Sequence, residues 1–144
     1  MITDAQLRFS DAQAITVTTN STNVIDLTTN ADIARGLPLR FQTEVLTAFT
    51  AGGAATLQVQ LVTSASPSLS SPTILRDTGA LALASLTAGA VLFDGVIPRT
   101  ALRYIGVIYT VATGPMTAGA VFSGIVEDTE TAITDRLVGV TYLT

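Results

Sequence analysis

The stretch YIGVIYTVATGPMTAGAVFSGIV, residues 104–126, decides the fold class. It carries no charge and exceeds the roughly 20 apolar residues that a membrane-crossing helix needs. Its interior argues against a helix. Thr113-Gly114-Pro115 interrupts it midway, and on either side β-branched residues alternate with small or aromatic ones. A helix does not place a turn at its midpoint, whereas two extended strands joined by a loop do. Both strands are apolar on both faces: Ile105, Val107, Tyr109 and Val111 oppose Tyr104 and Ile108. Such strands sit at the centre of a sheet, or turn one face to another chain.

The same alternation runs outward in both directions. Leu57, Val59 and Leu61 share one face of residues 56–63, with Gln58 and Gln60 on the other. Leu39, Phe41, Thr43, Val45, Thr47 and Phe49 form a second such face, with Arg40, Gln42 and Glu44 outward until Leu46 breaks the pattern. The intervening Ala51-Gly52-Gly53-Ala54 turn makes these two segments a candidate hairpin. Ile15 and Val17, the polar turn 19–22, and residues 24–27 make another. Residues 64–71 are rich in Ser, with Pro67 and then Pro72, and read as a loop. Short strands are expected at 72–77 and 90–97. Residues 81–86 fit either a strand or a helical turn, and residues 98–103, opening on Pro98, fit a single helical turn or a loop.

About eight strands with connections too short for βαβ crossovers give an all-β fold, a jelly-roll-like antiparallel β-sandwich. The chain divides into an N-terminal arm at 1–12, a sandwich at 13–128 and a C-terminal tail at 129–144. At 144 residues it is the size of one domain, large enough for a core that needs neither disulfide nor metal.

Composition removes most chemistry. Charged residues make up 12% of the chain, about half the usual share, and the basic ones are seven arginines. There is no Lys, His, Cys or Trp. Zinc, blue-copper and iron–sulfur sites, thiol nucleophiles, Ser–His–Asp triads, Schiff bases and P-loops all need a missing residue type. A net charge of −4, with dispersed arginines, opposes phosphate binding, so nucleic acid is not an expected partner. The mean hydropathy of +0.53 reflects many apolar strands, and no membrane partner is expected. Residues 1–15 lack the apolar core of a secretion signal, which suits synthesis in the cytoplasm.

Four motifs need weighing. Asp77-Thr78-Gly79-Ala80, after Ile74-Leu75, resembles the active-site loop of retropepsin-like aspartic proteases, in which two chains each supply one carboxylate. Arg76 stands where those enzymes carry an apolar residue, and no later apolar pair followed by Gly-Arg supports the loop. Turn chemistry accounts for Asp and Gly there. Glu127, Asp128 and Glu130 cluster without calcium-loop spacing and read as a solvated strand end. Asn20-Ser21-Thr22 has the glycosylation pattern, yet is also what a turn requires. Asp-Ala-Gln recurs at 4–6 and 11–13 without helical periodicity after it. The expectation is therefore a protein that is not an enzyme and holds no cofactor or metal.

Several segments, in order, resemble the small capsid cement proteins of tailed bacteriophages. They are residues 4–15, with Leu7-Arg8-Phe9-Ser10-Asp11-Ala12-Gln13-Ala14-Ile15, then Asn23-Val24-Ile25-Asp26-Leu27, Gly36-Leu37-Pro38-Leu39, residues 56–63, Leu86-Thr87-Ala88-Gly89-Ala90, Ile97-Pro98, residues 104–111 and 118–128. The resemblance covers roughly nine-tenths of the chain and rests on strand patterns in order, while residues from 129 onward depart from it. It implies a jelly-roll subunit on the outer surface of the virion head, commonly a dimer although a trimer is possible, clamping neighbouring major capsid proteins of the tailed-phage fold. A carbohydrate-binding virion jelly roll is the alternative. The expected partner contacts are Leu7 and Phe9 in the arm and Ile133, Leu137, Val138, Val140, Tyr142 and Leu143 in the tail. Deleting 132–144 is accordingly expected to spare the sandwich and weaken assembly.

Overall fold

The computed structural model describes residues 5–28, 39–98 and 102–126. After a 3-10 turn at Ala5–Leu7 come ten strands: β1 (Arg8–Ala14), β2 (Thr19–Asn20), β3 (Ile25–Asp26), β4 (Arg40–Ala51), β5 (Thr56–Ser64), β6 (Thr73–Asp77), β7 (Leu81–Ala82), β8 (Val91–Val96), β9 (Tyr104–Ala112) and β10 (Met116–Val126). A second 3-10 turn, Leu83–Ser85, resolves the ambiguous segment 81–86 as a little of each alternative. The uncharged stretch 104–126 forms β9 and β10.

One sheet has the order β1-β10-β4-β8 and the other β2-β9-β5-β6, with β3 also on β9 and β7 also on β5. All pairings are antiparallel. Because β2 and β3 share the partner β9, they are two pieces of one strand. β6 and β7, both on β5, are likewise two pieces of another. Eight strands then remain, ordered 1-8-3-6 and 2-7-4-5, which is the double-sheet order of a jelly roll. The fold is a β-sandwich, and β9 and β10 lie inside their sheets as their two apolar faces require.

Neither expected hairpin forms. β4 and β5 follow one another in sequence but lie in opposite sheets; Ile15 and Val17 lie in no strand, and residues 19–20 of the expected turn form β2, which like β3 pairs with β9. Alternation places a strand's face; it does not choose the partner, which is β8 and β10 for β4, and β9 for both β2 and β3. The division at residue 12 also shifts, since β1 crosses it as one edge strand paired with β10.

Between the sheets, Leu57, Val59 and Leu61 of β5 interleave with Ile105, Val107 and Tyr109 of β9, all at or near zero exposure. Phe9, Phe41, Val45, Val121 and Ile125 face them from the other sheet. Phe9 meets Phe41 edge-on at 6.0 Å, and Phe41 meets Phe93 at 5.8 Å. Each such side chain gains about 1.5–3 kcal/mol on burial. The inward face of β4 keeps to its expected pattern through Val45; then register shifts against β10 turn Thr47 out and bring Phe49 back in.

A small second core lies outside the six-stranded sheet. The Ser/Pro loop folds back so that buried Leu69 lies over Gly106, whose ladder partner is the buried Val62; a Cβ on Gly106 would come within 2.6 Å of Leu69 Cδ1. Ser64 Oγ donates to the Ser70 carbonyl at 2.6 Å, and Asn20 Nδ2 to that of Ser68 at 3.2 Å, pinning the loop.

Candidate functional site

The most concentrated polar chemistry is buried between the sheets. Gln13 Oε1 and Ser10 Oγ are 2.6 Å apart, Ser10 Oγ and Tyr109 Oη 2.7 Å, Tyr109 Oη and Ser123 Oγ 2.8 Å, and Ser123 Oγ and Thr43 Oγ1 2.7 Å. Thr43 Oγ1 ends the row by donating to the Phe122 carbonyl at 3.1 Å. Strands β1, β4 and β10 thus reach Tyr109 of β9 from across the sandwich. Burial pushes the Tyr109 phenol up to about 12, with the bonds to Ser10 and Ser123 acting the other way. A buried phenol so held is neutral at physiological pH, and its role is to fix how the two sheets sit.

Asp77 lies on the outer face of the six-stranded sheet. Gln58 Nε2 donates to both carboxylate oxygens at 2.9 Å, Gln60 Nε2 at 2.8 Å, and the Gly79 N–H at 2.7 Å. The Gln58 bond foremost, with those from Gly79 and Gln60, holds the carboxyl below its ordinary range. Thr78 Oγ1 accepts the Val59 N–H at 3.0 Å, so the motif straps the end of β6 to β5. These donors and acceptors are spent on one another.

Asn20-Ser21-Thr22 is spent similarly. Besides Asn20's bond to the loop, Ser21 Oγ donates to the Asn23 carbonyl at 2.8 Å and accepts the Val107 N–H at 3.1 Å. Among the described residues no three His, Cys, Asp or Glu side chains are grouped as metal ligands. The acidic cluster Glu127, Asp128 and Glu130 lies outside the described residues.

Of the candidate partner contacts, Phe9 is fully buried in the core and Leu7 packs against it half-exposed. Both anchor the start of the chain to its own sandwich, so Phe9 has no surface to offer a partner in the folded subunit. Ile133, Leu137, Val138, Val140, Tyr142 and Leu143 lie outside the described residues.

The two flanks of the sandwich differ. On one, the outer edge of β1 is sealed: the Asn23 N–H and Thr22 Oγ1 donate to the Phe9 carbonyl, and Asn23 Nδ2 to that of Arg8. On the other, β6 and β8 present edges joined by Arg76, which donates from Nε and Nη2 to the Val96 carbonyl at 3.1 and 2.9 Å. Ile74, Val91 and Val96 are exposed there by 51%, 53% and 41%. Sequence alternation does not reveal this asymmetry, because it depends on which strands end up at the edges.

The two ends differ as well. Arg40 stands opposite both Val96 and Val126, Asp26 opposite Tyr104, and Arg8 opposite Gly124. One end therefore gathers the start of β1, the ends of β3, β8 and β10, and the starts of β4 and β9. Asp26 and Arg103 pair there in a fork at 2.7 and 2.8 Å, and the Arg103 guanidinium lies 5.1 Å from the Tyr104 ring centre. Arg103 holds the Asp26 carboxyl down at about 2, helped by the Thr28 N–H. The opposite end closes with tight turns at Gly52-Gly53 and Thr113-Gly114, the latter with φ of 63° and 98°.

The Bbp16 family profile matches residues 9–125, from the second residue of β1 to the penultimate residue of β10. The chain belongs to the Bbp16 family. The Bbp16 match spans the described strands of the jelly roll and ends close to where the cement-protein resemblance also stops. No curated protein matches the chain.

Proposed function

We propose that this Bbp16-family subunit is a structural virion protein that binds the outer surface of an assembled phage head and clamps neighbouring major capsid proteins. The observation that carries the reading is the family match over the whole jelly roll, under a name that suggests a phage-related protein. The ordered resemblance to cement proteins supplies the specific role. Composition supports it from another side: the chain lacks the residue types most enzymes use, and its one protease-like motif is tied up as a strap. The protein is, on this reading, a non-enzyme without cofactor, working as a homo-oligomer, with a dimer favoured.

The mechanism is mass action. A subunit that binds only the assembled lattice stabilises that lattice by its binding free energy, and many weak copies add. Each contact needs to bury at least about 1,000 Å² to be specific. Net acidity suits an outer surface better than a DNA-lined inner one.

Co-sedimentation with empty mature shells tests the reading. Binding at micromolar concentration to shells, but not to unassembled capsid protein, is expected; failure to sediment with shells would refute it. Asp77→Asn is expected to leave shell binding intact, and a peptide-cleaving activity abolished by that substitution would overturn the non-enzyme assignment.

A further inference from the structure

The open edge of β8 lacks a strand that the chain itself can supply. The Ile97 N–H donates to the Leu39 carbonyl at 2.9 Å, so Leu39 and Ile97 form a bonded pair. Antiparallel alternation then makes Phe41 and Gly95 bonded, while Val96 and Asp94, opposite Arg40 and Gln42, aim their N–H and C=O groups away from β4. The Val96 carbonyl confirms that direction by accepting Arg76. The remaining outward groups of Asp94 and Val96 have no backbone partner among the described residues. Exposed edges of this kind are normally covered, charged or paired.

We propose that residues 137–144 of this same chain dock as an added antiparallel strand along the edge of β8. Their sequence, Leu137-Val138-Gly139-Val140-Thr141-Tyr142-Leu143-Thr144, is rich in β-formers and has neither charge nor proline. Among the described residues all eight jelly-roll positions are filled without it. Topology brings it to the right edge. The chain leaves β10 at Val126, which lies opposite Arg40, itself opposite Val96. From β10 to a strand outside β8 is three strand spacings, about 14 Å. Residues 127–136 span up to about 33 Å when extended. Since β10 and β8 run parallel, a chain crossing at this end returns antiparallel to β8, beginning beside Val96 where Arg76 ends the ladder. Alternate side chains of the added strand then cover Val96 and Val91. The proposal assigns Leu137, Val138, Val140, Tyr142 and Leu143 to the chain's own sheet, and it stands independently of the shell-binding reading because it concerns the free subunit.

Amide hydrogen exchange on the full chain tests it. The Asp94 and Val96 amides are expected to be slowed about 100-fold or more, and to stay so across a hundredfold dilution. Val140→Pro and Thr141→Pro, at positions of opposite alternation, bracket the rung that faces β8, so at least one restores fast exchange at Asp94 while Val59 and Leu61 remain protected. Fast exchange in the unaltered chain, protection that survives both substitutions, or protection lost on dilution, which would make the strand a second copy's, would each overturn the proposal.

Discussion

Tyr109 Oη on the six-stranded sheet donates to Ser123 Oγ on the four-stranded sheet at 2.8 Å, joining the two halves of the sandwich through their apolar interior. Ser10, Tyr109, Ser123 and Thr43 own four hydroxyl protons, but five contacts run from Gln13 Oε1 to the Phe122 carbonyl. One contact therefore always lacks a proton. Tyr109→Phe removes one proton and two contacts, leaving three of each, so every remaining hydroxyl is satisfied. The expected loss is only about 1 kcal/mol in urea unfolding, against roughly 3–5 kcal/mol for Tyr109→Ala, which also empties the core.

The same phenol predicts an alkaline limit. Its folded value, about 12, lies above the ordinary 10.0, so its contribution is fully present below about pH 10 and is lost as pH rises towards 12. Unfolding midpoints of the native chain should fall across that window more steeply than those of Tyr109→Phe. Parallel curves would show that Tyr109 is not the group responsible.

At the other extreme, Asp26 titrates near pH 2 while Arg103 holds it. Its folded value is depressed, so whatever the pair contributes is present above about pH 4 and lost as pH falls towards 2. In Arg103→Gln the Asp26 carboxyl, followed by carbon-detected NMR titration, should move up towards the ordinary 3.8.

Gly119 has a φ of 142°, and a Cβ there would lie 2.2 Å from Phe49 Cδ1. Gly119→Ala must displace a core phenylalanine as well as strain the backbone, and a loss of about 1–3 kcal/mol or more is expected. Gly52→Ala has open space and an ordinary φ, and should be within about 0.5 kcal/mol of the native chain when thermal melts of the two variants are compared.

Gln42, on the outer face of the four-stranded sheet, is buried to 9% exposure with its Oε1 unpartnered among the described residues. A buried acceptor without a donor costs about 1–3 kcal/mol. Gln42→Met keeps the shape and drops the acceptor, so it should raise the melting temperature; a lower one would mean that the amide is satisfied in solution.

The sequence reading succeeds where burial follows local alternation and stops where it depends on long-range pairing. Residues 104–126 announce two central strands because both of their faces are apolar. The Ser/Pro stretch announces a loop, though not that Leu69 within it lies over Gly106. Alternation gives no sign that Ser10 and Ser123 are buried; in the fold both meet the Tyr109 hydroxyl in the core. Phe9 reads as an exposed anchor only until β1 joins β10 and turns its ring inward. Which strands form the open flank, and that Arg76 bridges it, follows from topology alone.

A density map of the assembled virion would locate this subunit on the particle. Eight-stranded jelly-roll density is expected on the outer surface of the head, each copy touching at least two major capsid subunits. Density for the chain on the inner surface, or contact with only one capsid subunit per copy, would contradict it.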